Sequence, residues 1–417
     1  MNKPAERPRG SLVAALDIGS SKLCCFIARV EEEGARIIGI GHQVSRGLRN
    51  GQIVDIDAAS QAILNAVHTA EQMAEQTISE VVVNISGGFG ASRIVKAEIT
   101  LNGRETTNSD MRRVLNQGYS LKESAEREVI HSIPVGFSID GSRGIRDPRG
   151  MFGQRLGVNM NIVAANAAAV RNLATCIARC HLEISALVVS PYAAGLAALV
   201  PDESGLGVTV IDMGGGTTTI AVFFDGNLVF TDSVPVGGIH VTNDIARGLS
   251  TPIAHAERMK TLHGSAIASP ADEREMMSVP QVGEEDDSDS VRVPKSLLVG
   301  IIAPRLEETF ELVRDALEAS GFDKLAGRRV VLTGGAAQLP GARELAGLIL
   351  DKQVRVGRPL RIAGLAEATG GPAFATSAGL IHFSLSERAE TLRYGRAVSD
   401  EPGGFFGRFG LWVREHF

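Results

Sequence analysis

One pattern occurs twice in this chain and restricts its fold more than any other feature. "LVAALDIGSSKLCCFIARV" (12–30) reads as apolar strand, polar turn, apolar strand. "VTVIDMGGGTTTIAVFFDGNLVFTDSVPV" (208–236) restarts the same pattern with a Gly-rich turn and adds a third strand. Aligning Asp17 with Asp212 places Gly19 on Gly214, Ser20 on Gly215 and Ser21 on Gly216, and the apolar strands on both sides stay in register. The 417 residues exceed what one hydrophobic core usually supports. The repeat therefore predicts two similar α/β lobes.

Between and beyond the repeats, "RIIGIGHQV" (36–44) supplies a third strand and a helix follows from Asp57, read as its N-cap, with Ile63, Ala66, Val67, Ala70 and Met73 on one face. "EVVVNISG" (80–87) is a short buried strand. From Phe89 to about Val163 the rhythm breaks into polar hairpins, the short helix "DMRRVLNQGYSLK" and Gly/Pro-rich turns, which predicts an inserted α+β subdomain. A helix (170–182), a strand (183–190) and a helix opened by Pro191 complete the first lobe. Helices near 241–264 and 296–320, the strand "RRVVLTGG" (328–335) and the helix "GARELAGLIL" complete the second. The stretch 384–404 is weakly apolar and reads as a linker.

Composition narrows the function classes. Net charge is −6, but "EEDDSD" (284–289) holds five of the acids, and without it 43 acids face 42 bases, so there is no global basic field for nucleic acid. No apolar run of about 18 residues occurs, and "MNKPAERPRG" lacks the apolar stretch of a secretion signal, which predicts a cytoplasmic protein. Cys24 and Cys25 point to opposite faces of a strand, and Cys176 and Cys180 sit one helical turn apart; small buried hydrophobes account for all four.

The repeated turns carry the chemistry. In each, small residues let backbone N–H groups approach phosphate oxygens while hydroxyls add donors. An Asp two residues before each glycine, Asp17 and Asp212, suits a hydrated Mg²⁺. A third glycine turn, "LTGGAAQLPG" (332–341), offers Gly334 and Gly335 as a flat bed for a base and ribose.

Three glycine turns in this order resemble the phosphate-1, phosphate-2 and adenosine motifs of the actin, sugar-kinase and heat-shock-chaperone ATPase superfamily. With "REVIHSIPVGFSID", "GVNMNIVAA", "TNDIARGLSTPIAHAERMK" and "REMMSVPQVG", the chain resembles the FtsA family of bacterial cell-division proteins over residues 12–383. The resemblance implies an actin-like two-lobed ATPase fold of duplicated ribonuclease-H-like domains. It divides the chain into 1–84, 164–207 (first inner subdomain), 85–163 (insert), 208–242 and 328–383 (second inner subdomain), 243–327 (outer subdomain), 384–404 (linker) and 405–417. It implies ATP and Mg²⁺ as cofactors, with Asp17, Gly19, Ser20, Ser21 and Lys22 in the first turn and Asp212, Gly214, Gly215, Gly216, Thr217 and Thr218 in the second. Gly238, Gly334 and Gly335 complete the set, and Glu257 and Lys260, three apart on one helix face, would pack on the adenosine. Where catalytic relatives place a Glu or Gln to direct the attacking water, this chain has Ser190, which cannot act as a general base unaided, so slow hydrolysis is expected. The implied partners are the FtsZ C-terminal peptide, with Arg305 as a candidate contact, further copies of the chain and other division proteins, at the cytoplasmic face of the inner membrane and the septum. A small-molecule kinase or a PilM-like pilus-assembly homologue would share the fold.

The stretch "GGFFGRFGLWVREHF" (403–417) holds the only Trp. On a helix, Phe405, Phe406, Phe409, Trp412, Val413 and Phe417 fall within an arc of about 140°. Thirteen residues span about 20 Å, short of a hydrocarbon core of about 30 Å but suited to lying in the interface as an amphipathic membrane-targeting helix. Folding back onto the chain's own core is the competing outcome.

Overall fold

The computed structural model describes residues 8–32, 34–120, 124–283, 290–360 and 362–386. The acidic run 284–289 and the expected amphipathic helix 405–417 lie outside the described residues.

The first repeat folds as β1 (Leu12–Ile18), β2 (Lys22–Glu31) and β3 (Gly34–Val44), followed by a small hairpin of β4 (Leu48–Arg49) and β5 (Gln52–Ile53), helix α1 (Ile56–Ala74) and β6 (Glu80–Ile85). The insert comprises β7 (Arg93–Thr100), α2 (Asn108–Tyr119), β8 (Arg127–Ile139), β9 (Ser142–Ile145) and most of β10 (Arg155–Asn166). Next come α3 (Ala167–Arg179), β11 (Glu183–Val189), α4 (Ser190–Ala198) and α5 (Pro201–Leu206). The second repeat runs through β12 (Val208–Met213), β13 (Thr218–Phe224), β14 (Asn227–Val234), α6 (Gly238–Gly248), α7 (Ile253–His263), a hairpin of β15 (Met276–Val279) and β16 (Val291–Pro294), α8 (Lys295–Ser320), β17 (Arg329–Thr333), α9 (Ala342–Leu350), β18 (Gln353–Val356) and α10 (Ala375–Leu385). This is the expected α/β class, with two sheets and an α+β insert.

The duplication extends to hydrogen-bond register. The two large sheets have the orders β11-β6-β1-β2-β3 and β18-β17-β12-β13-β14. Asp17 pairs across from Cys24 on the antiparallel neighbour of β1, and Asp212 from Thr219 on that of β12. Each central strand then pairs in parallel with its other neighbour, Ala15 with Val82 and Val210 with Val331. Strands buried on both faces read as near-continuous apolar runs, as β1 and β12 do apart from Thr209 and the two acids.

The helix following each lobe packs on the other lobe's sheet: α4 touches β12 and β13, while α10 touches β1, β2 and β6. The two helices cross closely enough that a Cβ on Gly379 would lie 1.7 Å from Ala193 O. This crossing brings the C-terminal ends of β1 and β12 toward one cleft.

Residues 92–164 form a separate compact unit. Its sheet, β7-β10-β8-β9, lays Leu156, Val158 and Met160 against Val114 of α2. A capping box between Thr107 and Asp110 starts that helix.

Local expectations needed correction at three places. The N-cap of α1 is Asp55, whose carboxylate accepts from Ala58 N at 3.0 Å, and Asp57 instead pairs with Arg179 in the first turn. Met73 is 58% exposed, because the buried stripe of α1 ends at Ala70. Ser384 and Leu385 complete the last turn of α10, with Ser384 Oγ donating to Leu380 O, so no linker starts at 384. All four cysteines are buried and unpaired as disulfides, and burial pushes the Cys24 thiol up to about 12, which leaves it inert.

Candidate functional site

The two repeated turns face each other across a cavity of about 250 Å³. In each the glycine N–H closes the turn on a carbonyl three residues on: Gly19 N donates to Lys22 O at 3.1 Å and Gly214 N to Thr217 O at 2.8 Å. The side chains that differ between the repeats interlock. A Cβ on Gly216 would lie 2.4 Å from Ser20 Oγ, and one on Gly215 2.8 Å from Ser21 Oγ. Serines on one turn thus require glycines on the other, which explains why the second copy reads GGG where the first reads GSS.

Asp17 and Asp212 lie at the floor. Asp17 is buried; its Oδ1 accepts from Asn84 Nδ2 at 2.9 Å and its Oδ2 from Ser377 Oγ at 2.9 Å. Asp212 Oδ2 accepts from Thr376 Oγ1 at 3.0 Å. Burial raises both carboxyls above their ordinary range, with Asp212 reaching about 6 as Asp17's charge adds to the effect. Lys22 Nζ donates to Ala373 O and lies 3.4 Å from the centroid of the Phe374 ring, and desolvation lowers its pKa although Asp17 pulls the other way. Two desolvated carboxylates that share the charge of one lysine favour an incoming cation. Among the described residues no cluster of three or more His, Cys, Asp or Glu forms a metal cage, so a hydrated cation completed by phosphate oxygens suits this site.

The opposite wall holds the third motif. Gly334, at φ +90°, packs so closely that a Cβ would lie 2.4 Å from Met213 O, and Gly335 and Ala336 continue the wall. Lys260 Nζ donates to Gly238 O (3.1 Å), Thr242 Oγ1 (2.8 Å) and Glu257 Oε2 (2.7 Å), which fixes the Glu257–Lys260 pair at the cavity edge. The first turn of α6 is docked on the second glycine turn, with Gly238 N donating to Gly214 O at 3.0 Å and Ile239 N to Gly215 O at 2.8 Å. The residues present fit a polyphosphate nucleotide: glycine turns, hydroxyls, a lysine and two carboxylates line one cavity.

The cavity thus brings together every nucleotide-site residue expected from the sequence except one. Thr218 is fully buried and spends its hydroxyl on Val236 O at 2.8 Å. Strand alternation turns Thr219, opposite Asp212, toward the cavity instead. Ser190 is buried, accepts from Asn84 Nδ2 at 3.0 Å and donates to Ile85 O at 3.1 Å, so its hydroxyl is already committed. Arg305 lies elsewhere, on α8, paired with Asp244 of α6 and Glu308. Sequence reasoning missed Asn84, Thr376 and Ser377. A lone Asn ending the valine run of β6 was the available signal for the first; the other two sit in an apolar helix with none.

The chain is similar to proteins of known family and fold. The sequence profile described as "Cell division protein FtsA" matches residues 209–379, and that described as "SHS2 domain inserted in FTSA" matches 87–164. The cell division protein FtsA of Rhizobium meliloti (strain 1021) is 46% identical over 428 residues, covering 100% of this chain and 97% of that one. Those of Pseudomonas aeruginosa and Escherichia coli (strain K12) are 34% and 32% identical, covering 98% and 97% of this chain and 99% and 98% of theirs. Among solved structures, the PilM-PilN type IV pilus biogenesis complex matches with a TM-score of 0.63 at 18% identity, covering 91% of this chain and 100% of that chain. MreB 5 of Spiroplasma citri bound to AMPPNP matches at 0.53 and 13% identity, covering 94% and 99%. These structures share the actin-like fold, and from its full-length relatives this chain belongs to the FtsA family of cell division proteins.

Proposed function

We propose that the chain is an ATP-binding adaptor that ties FtsZ filaments to the cytoplasmic membrane, assembles with copies of itself and recruits later division proteins. The observation that carries the nucleotide part is the pair Asp17 and Asp212, one from each repeat, lining a single cavity together with the matched glycine turns. The MreB neighbours solved with ADP and AMPPNP support it. When bound, ATP with Mg²⁺ would supply the phosphate charge and oxygens that the two turns are built to receive.

This chain's own residues do the rest. Ser20, Ser21, Thr217 and the turn amides around Gly19, Gly214, Gly215 and Gly216 orient the phosphates, and Lys22 offsets their charge. Asp17 and Asp212 hold the hydrated cation, Asp17 with both oxygens already restrained and Asp212 with Oδ1 the freer. Glu257, Lys260, Gly238, Gly334 and Gly335 receive the adenosine. Ser190 has no spare acceptor strength to take a proton from water, so turnover is slow and the bound nucleotide acts as a clamp on one lobe arrangement.

Residues 405–417 are assigned to the membrane interface, joined to the body by the stretch up to 404. Single-anchor binding is marginal, so a row of copies multiplies attachment through effective concentration. Arg305 is assigned to the FtsZ peptide; an acidic peptide there would exchange with Asp244 and Glu308. The insert is assigned to self-assembly and division-protein contacts. Full-length similarity to division proteins disfavours the pilus-assembly and kinase alternatives.

Two measurements test this. Calorimetric titration with AMPPNP should show binding strengthened by Mg²⁺, and no heat with either would remove the nucleotide reading. Liposome sedimentation should recover the full chain and lose a chain ending at 404; equal sedimentation of both would remove the anchor.

A further inference from the structure

The β4–β5 hairpin touches both the first phosphate turn and the peptide that leads to the insert. On its phosphate side, Gly51 N donates to Ser20 Oγ at 2.8 Å, and in the segment that leads into the hairpin Ser45 N donates to Ser21 O at 3.1 Å. The hairpin tip also meets the second turn, since a Cβ on Gly216 would lie 3.0 Å from Asn50 Cα.

On its other side the hairpin has no clearance from residues 86–88. A Cβ on Gly87 would lie 2.2 Å from Asn50 O, and one on Gly51, at φ +72°, 2.6 Å from Gly87 N. The Gln52 side chain lies against Gly88, whose carbonyl accepts from Asn166 N at 2.8 Å. Residues 86–91 and 165–166 are the outgoing and returning connections of the 92–164 unit. Beneath the hairpin a cavity of about 20 Å³, lined by Leu48, Ile53, Ile85, Ala169 and Leu173 among others, has room for one water and gives the hairpin space to shift without compressing the core.

We propose that the Leu48–Ile53 hairpin is a strap that transmits occupancy of the phosphate position at Ser20 to the two connections of the inserted domain. Ser20 Oγ accepts the Gly51 N–H and keeps its own proton free. A terminal phosphate oxygen accepting that proton pulls on the one hydroxyl that holds the strap. Because the tip has no gap to Gly87, a displacement of Gly51 is passed to residues 86–88 and through the Gly88–Asn166 bond to the returning connection. The inference rests on the nucleotide reading above.

The test is amide hydrogen exchange of residues 86–91 and 165–166 in the full chain with Mg²⁺–AMPPNP and with Mg²⁺–ADP, after calorimetry has shown that each binds. Exchange there should differ by about five-fold between the two states, an ordinary coupling strength. Gly87→Ala forces the hairpin off its seat and should shrink the difference below about two-fold while AMPPNP affinity stays within about three-fold. Should that variant fail to fold, Gln52→Ala, at an exposed position, should reduce the difference in the same direction. Equal exchange in the two nucleotide states, or an undiminished difference in the variant that folds, overturns the strap alone. Absence of nucleotide binding overturns the strap and the nucleotide reading together.

Discussion

Thr376 and Ser377, consecutive residues at the start of α10, donate their hydroxyls to carboxylates of different repeats: Thr376 Oγ1 to Asp212 Oδ2 at 3.0 Å and Ser377 Oγ to Asp17 Oδ2 at 2.9 Å. Successive helical residues point about 100° apart, so two neighbouring hydroxyls can serve two strands only where those strands converge on one helix end. The first turn of α10 is therefore a clasp that fixes the spacing of the two acids.

Ser377→Ala should loosen that clasp on the Asp17 side. Ser377 is fully buried, and its loss removes one of the two donors on the Asp17 carboxylate. Stability should fall by about 1–3 kcal/mol, the range for stranding a buried polar partner, read from urea unfolding. Mg²⁺–AMPPNP affinity should fall with it, whereas Thr218→Val, outside the cavity, should lower stability and leave affinity within about two-fold.

Asp212 gives a pH signature. Its folded pKa of about 6 lies above the ordinary 3.8, so the folded state holds the proton more tightly than the unfolded state. Below the ordinary value both states are protonated and nothing is lost; as pH rises toward 6 the unfolded state ionises first, and above 6 the folded chain carries the full penalty. Asp212→Asn should therefore be more stable than the parent at pH 7.5 by on the order of 1–3 kcal/mol, since each tenfold difference in proton affinity between the folded and unfolded chain is worth about 1.4 kcal/mol. The advantage should vanish near pH 4, and thermal melts across that range measure it. Mg²⁺–AMPPNP should stabilise the parent and scarcely the variant.

Much of this site was legible because its chemistry sits in repeated turns. Asp17, Gly19 and Lys22 find counterparts in Asp212, Gly214 and Thr217, and the strands that present them keep the same register in both sheets. Asn84, Thr376 and Ser377 were not legible, because single polar residues in apolar segments acquire a role only when sheet order and helix crossing bring them to the acids. Thr218 was misplaced for a simpler reason: three threonines in a row look alike, and only the strand's alternation decides that Thr219 faces Asp212. Arg305, expected as a partner contact, is paired within the chain, because α6 packs beside α8 and supplies Asp244.

Ser190 tests the expectation of slow turnover. Its hydroxyl donates to Ile85 O and accepts from Asn84, which leaves it a link between strand and helix and a poor base. Ser190→Ala should destabilise the chain by about 1 kcal/mol, the value of a typical lost hydrogen bond, while phosphate release changes by less than about three-fold. A drop of more than about ten-fold would make Ser190 a participant in hydrolysis, since a general base contributes a factor of about a hundred or more.

The helix crossing that builds the clasp can be tested by contrasting two glycines in helices. On α10, a Cβ at Gly379 would lie 1.7 Å from Ala193 O and 2.9 Å from Ala193 Cα, atoms of the α4 backbone that cannot rotate away. Gly379→Ala must push α4 from α10 and should destabilise the chain by about 3 kcal/mol or more, at the upper end of overpacking costs. On α8, Gly300 is exposed and a Cβ there would meet nothing within 4 Å. Gly300→Ala should raise stability by about 0.5–1 kcal/mol, because alanine loses less backbone freedom in a helix. Urea unfolding of both variants under one condition reads the contrast directly. If Gly379→Ala were as well tolerated as Gly300→Ala, the close approach of α4 and α10, and with it the convergence of Asp17 and Asp212 on a single clasp, would have to be abandoned.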